Sequence, residues 1–245
     1  MALPAGVRDA LGPERKIVSR PGALTYVLLS LATLSLVPPV AVAGRGWRRL
    51  SMAQRLFAAY LALELGSSLL EFVLGRLNQP NLWVAHLVVP VQTVILFRTF
   101  AEWQTGSRMA TVLRWGSWPM LFFWVPAIVG WEPMTGFSIG SESVQAILCL
   151  AVAAFTTVSR QQQDVSRAAE EPWFWIGAGV MLYFATFALL SPLAGYFLHV
   201  GSRHVFDVLS ARAGFQIAAS VLFYLGMRCQ QSRLNSGPST FRRQP

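Results

Sequence analysis

Lysine is almost missing from this chain: Lys16 is the only one among 20 basic residues, and the rest are arginine. A membrane-embedded lysine for a retinal Schiff base is therefore excluded. Cysteine is scarce too, and Cys149 with Cys229 supplies neither a disulfide framework nor a four-ligand zinc set. Charge is thin. Only 13% of the 245 residues are charged, 54% are hydrophobic and the mean hydropathy is +0.47, which leaves too few ionisable groups to cover a soluble globule. A water-soluble enzyme is disfavoured on that ground. Aromatic residues, by contrast, are plentiful: 16 Phe, 9 Trp and 5 Tyr give ample apolar area to bury, which excludes disorder.

The apolar residues fall into runs. A hydrocarbon layer roughly 30 Å thick needs about 20 mostly apolar residues in a helix. Seven such runs occur: Ala23 to Ala43, Ala53 to Leu74, Leu82 to Phe100, Val112 to Trp131, Ser143 to Ser159, Trp173 to Leu193 and Val205 to Met227. They predict an all-α polytopic membrane bundle over residues 23–229, with mobile tails at 1–22 and 230–245. The fifth run is short and flanked by serines, so a tilted or re-entrant piece is an alternative to a full crossing there. Seven Trp residues lie near span ends, where amphipathic rings prefer the interface.

Orientation follows from the basic residues, which cytoplasmic loops retain. With the amino end outside and the carboxyl end inside, thirteen arginines from Arg45 to Arg243 face the cytoplasm. Arg8, Arg15, Lys16, Arg20, Arg76 and Arg203 face outward, and Arg212 lies within the seventh span. The basic leader is the dissenting evidence. Ala41-Val42-Ala43 after an apolar run also resembles a signal-peptide cleavage site. Cleavage there would strand Arg45, Arg48 and Arg49 outside, against the charge rule. The net charge of +9 thus reads as topology and as contact with anionic lipid headgroups. No soluble basic domain points to nucleic acid.

Ionisable groups inside spans are costly and ask for an explanation. Arg55, Arg98 and Arg114 sit near span ends, where they can snorkel to headgroups. The second span differs: Tyr60, Glu64, Ser67, Ser68 and Glu71 share one helical face, which should turn toward protein or water. The short connection to the third span makes the two antiparallel neighbours, and matching depth at about 1.5 Å per residue sets Glu71 level with His86 and Glu64 level with Gln92, beside Thr93. On the seventh span Arg212, Gln216 and Ser220 share a face, and Arg212 is a candidate counter-charge for either glutamate. Asp207 near the start of that span suits a helix-capping role. Tyr183 and Thr186 contribute from the sixth. Pro90, between His86 and Gln92, frees a carbonyl near the stripe and marks a bend or hinge.

Asn81-Leu82-Trp83 with His86 and Pro90, together with Glu64, Pro172-Trp173-Phe174-Trp175, Gly177 and Tyr183-Phe184, resembles a broad group of uncharacterised bacterial multi-pass membrane proteins. The resemblance covers the second, third and sixth spans. It implies a bacterial inner-membrane location and brings no activity, cofactor or catalytic residue. An arginine-for-lysine bias fits a GC-rich bacterial genome. The aspartate-arginine-tyrosine and asparagine-proline-tyrosine signatures of the large eukaryotic receptor family are absent, as are the proline-glutamine repeats of small sugar carriers.

The reading that follows is a non-enzymatic protein binding a small molecule, lipid or membrane partner through an outward polar cluster, with no cofactor. An intramembrane lipid hydrolase is the first alternative, with Glu64 or His86 as base and Ser67 nearby. A proton or ion pathway is the second. The plain alternative to all three is interhelical glue, each polar contact worth about 1 kcal/mol.

Overall fold

Pro38 and Pro39 shape the first span. Neither has an N–H to give to the preceding turn, so a straight helix cannot pass through them. In a computed structural model of the protein, which describes residues 22–104, 106–130, 134, 139–162 and 168–235, the span accordingly divides into α1 (Ala23–Leu34) and α2 (Val37–Gly46). A single 3-10 turn, Trp47–Arg49, follows. Six long helices come next: α3 (Met52–Arg76), α4 (Leu82–Trp103), α5 (Arg108–Gly130), α6 (Ile139–Gln161), α7 (Pro172–His199) and α8 (His204–Asn235). No strand occurs among the described residues, and seven helical segments are long and apolar enough to cross a membrane. The protein is an all-α multi-pass membrane bundle.

The ends of the helices are set by local chemistry. Ser51 and Gln54 form a reciprocal capping box that starts α3. At its other end Asn78 adopts a φ of 55°, and the Gln79 amide reaches back to the Leu74 carbonyl at 2.9 Å. That is a Schellman stop with Asn in the left-handed position. Gly201, with a φ of 68°, closes α7 the same way through Ser202 to Phe197 at 2.9 Å. The sixth span therefore runs six residues past the expected Leu193, and Pro192 does not end it. The fifth span is a full 23-residue helix rather than a short piece, with Ser141, Gln145, Thr156 and Thr157 buried along it. α8 continues to Asn235, past the expected tail boundary at Gln230. The expected tail 1–21, the tail beyond Asn235, Glu132 of the fourth loop and residues 163–167 of the loop before α7 lie outside the described residues.

α7 packs along α6 on one side and α8 on the other, while α4 contacts α3, α5 and α6. α1 and α2 cover α8, and α2 reaches α3. Close approach comes from missing side chains: a Cβ at Gly179 would lie 2.5 Å from the Phe223 ring, and one at Gly226 would lie 2.5 Å from Ile176. Small residues allow this contact between helices when lipid tails are as apolar as the core. Phe57, Tyr60, Leu61, Leu96, Phe184 and Phe223 fill the space between, with the Phe57 and Phe223 rings edge to face at 5.0 Å. α5 stays at the rim, with Trp115, Phe122 and Val129 turned outward.

Candidate functional site

Glu64 lies twelve residues from either end of α3, at the middle of its crossing. Its Oε1 accepts a hydrogen bond from Tyr183 Oη of α7 at 2.9 Å. Its Oε2 accepts from Gln92 Nε2 of α4. Tyr60, one turn earlier on α3, is buried and faces both Glu64 and Tyr183. Three helices thus converge on one carboxylate. A lone carboxylate at mid-depth costs a few kcal/mol, and two donors placed on separate helices offset that cost. The level pairing of Glu64 with Gln92 follows from the Schellman turn, which returns the chain antiparallel with a short loop.

The other residues of the stripe divide. Ser67 gives its hydroxyl proton to the Glu64 carbonyl at 3.0 Å, within its own helix, and Ser68 is half-buried beside it. Glu71 is half-buried, and the charges facing it are Glu64, Glu142 and Arg212. Asn81, the residue before α4, donates to the Glu71 backbone carbonyl at 3.0 Å. His86 is fully buried, but the Glu71 carboxylate makes no ion pair with His86 or with Arg212 among the described residues. The charges of Glu142 on α6 and Arg212 on α8 act on Glu71, while His86 is buried on α4.

Arg212 departs most from expectation. It pairs with neither glutamate; its guanidinium lies 3.4 Å from the centre of the Phe187 ring on α7. At the arginine-rich end Gln54 of α3 donates to the Gly226 carbonyl of α8 at 3.3 Å, while α8 packs along α7. The Phe187 ring offers the guanidinium a face of negative potential. Gln216 donates to the Ala32 carbonyl of α1 at 3.4 Å, and Ser220 is bonded to Ser35 at 2.9 Å, so that face joins α8 to α1. Thr93 and Thr186 return their hydroxyls to carbonyls one turn back, Val89 at 2.8 Å and Leu182 at 2.7 Å. Asp207 stands outside the cluster: it is exposed in the first turn of α8 and paired with His204 at 3.0 Å.

Sequence reasoning missed α6. Gln145 is buried and donates to the Val89 carbonyl at 3.0 Å, one residue before Pro90. Ser141 and Glu142 precede it by one turn on the same helix. Ser141 and Gln145 are buried polar residues four apart on that helix; the fifth run, Ser143 to Ser159, contains Gln145 but not Ser141. Two of the three expected headgroup anchors are also engaged within the protein. Arg114 pairs with Glu102 at 3.0 Å, and Arg55 donates to the Trp47 and Arg48 carbonyls, both at 3.2 Å. Arg160 donates to the Trp103 carbonyl at the end of α4, where a cation favours the helix dipole.

The arrangement can hold a cation or a donor group. Glu64, Glu142 and Arg212 all act electrostatically on Glu71, and the Tyr183 and Phe187 rings lie 4.6 Å apart. Among the described residues no three His, Cys, Asp or Glu side chains converge to hold a metal ion. No family model, no curated protein and no solved structure matches the chain.

Proposed function

We propose that this multi-pass membrane protein is a non-enzymatic binder of a small organic cation. The binding residues are Glu64, Tyr183 and Gln92, with Glu71 and Glu142 nearer the entrance. The ligand enters from the end opposite the arginine-rich face. One observation carries the reading: a carboxylate at mid-depth held by neutral donors from two other helices, with no cation among the described residues paired to it. Arg212 against Phe187 supports it, because that ring face already accommodates a cation. With the amino end outside, as the arginine distribution favours, the entrance faces outward. The arginine-for-lysine bias supports a bacterial inner membrane as the location.

Purified protein in nanodiscs, melted against tetramethylammonium, choline, agmatine and spermidine, tests this. A rise in melting temperature with at least one of them, lost in Glu64→Gln and kept in Arg108→Gln, is the expected result. No rise with any of the four, or an equal rise in Glu64→Gln, overturns it.

The stacking of Glu64 and Glu71 two turns apart on one face favours a second reading, a proton or cation path. Its test is flux into proteoliposomes, and equal flux for wild type and Glu64→Gln counts against it. The hydrolase reading gains no support, because the Ser67 hydroxyl is bonded to a backbone carbonyl rather than to a base.

A further inference from the structure

At the other end of the bundle, the turn joining α2 to α3 holds three arginines in five residues. Arg45, Arg48 and Arg49, with Trp47, Gly44 and Gly46, line an open cavity of about 460 Å³. A rule of basic cytoplasmic loops explains arginines here, but not their convergence on one cavity. No carboxylate pairs with any of the three among the described residues. Nor are they needed by the carbonyls of their own turn. Arg55 donates to the Trp47 and Arg48 oxygens at 3.2 Å each, and the Leu50 amide donates to Trp47 at 3.3 Å. The turn is also fixed in place, since Ala43 and Leu50 on either side are buried in the core. Three exposed arginines therefore line one cavity on a turn whose Trp47 and Arg48 carbonyls are already satisfied.

We infer that this turn binds the phosphate of an anionic phospholipid headgroup. Guanidinium matches phosphate oxygens two at a time, and several held on a rigid turn lose little freedom on binding. The depth suits a lipid better than a free anion. The turn closes a 27-residue apolar segment, Ala23–Arg49, on which Leu34 and Val37 are exposed below it, leaving an apolar track for an acyl chain. Trp47 is half exposed beside the arginines, where an indole prefers the headgroup level. This inference is independent of the cation site around Glu64, which lies at mid-depth.

The test is native mass spectrometry of the full chain released from micelles containing phosphatidylglycerol or phosphatidylcholine, with thermal melts in inorganic phosphate as a separate arm. Wild type should retain phosphatidylglycerol over phosphatidylcholine, and Arg45→Gln, Arg48→Gln and Arg49→Gln should each weaken that retention roughly fivefold. Arg108→Gln, an exposed arginine at the same end, should leave it unchanged. The lipid-free melting temperature of each variant shows that it is folded, and these exposed positions should not move it. Equal retention of phosphatidylcholine, no loss in the three variants, or an equal loss in Arg108→Gln overturns the inference. Protection by inorganic phosphate as strong as that by phosphatidylglycerol also overturns it, making the ligand a free anion.

Discussion

From Ala53 to Leu61, α3 buries Ala53, Gln54, Phe57, Ala58, Tyr60 and Leu61; from Ala62 to Val73 it buries no side chain fully, and that second stretch carries both of its carboxylates. The halves differ in neighbours rather than in helix-forming character. The first half meets α2, α4 and the Phe223 end of α8, where aromatic rings interlock. The second half turns Leu69, Leu70, Phe72 and Val73 to the perimeter and keeps Glu64 and Glu71 on the inner side. The fold is therefore held at one end, and the acids stand at the other.

That contrast can be broken by substitution. Phe57→Ala empties the interlocked half and should cost about 3 kcal/mol or more, by the usual scale for a fully buried ring. A melt in nanodiscs showing almost no loss would mean the packed end does not carry the fold. Gly179→Leu attacks the same region from α7, driving a side chain into the Phe223 ring, and should cost about 1 to 3 kcal/mol. An unchanged melting temperature would mean that α7 and α8 do not approach as described. Gly66→Ala, in the thinly packed half, meets nothing within 4 Å of its new Cβ. It should leave stability unchanged or raise it by up to about 1 kcal/mol through helix propensity alone. A clear loss there would show hidden packing and erase the difference between the halves.

Much of the architecture was legible because membrane spans are read from length and polarity, and the polar stripe on α3 from a period of 3.6 residues. Glu64 opposite Gln92 followed from a short loop and a common rise per residue. What was not legible depended on neighbours that no local pattern specifies. The packing of α8 along α7 set Arg212 on the Phe187 ring. Gln145 lies inside the fifth run, yet its bond to Val89 depends on α6 packing against α4. Tyr183 was visible as a polar residue on its helix, yet its bond to Glu64 required knowing that α7 turns that face toward α3.

The central claim is that Glu64 joins three helices through its carboxylate. A double-mutant cycle of Glu64→Gln and Tyr183→Phe, read by thermal unfolding in nanodiscs, tests it most directly. The account predicts a coupling of roughly 0.6 to 1.7 kcal/mol, the range for hydrogen bonds between membrane helices. Two substitutions whose effects simply add, within about 0.3 kcal/mol, would contradict it.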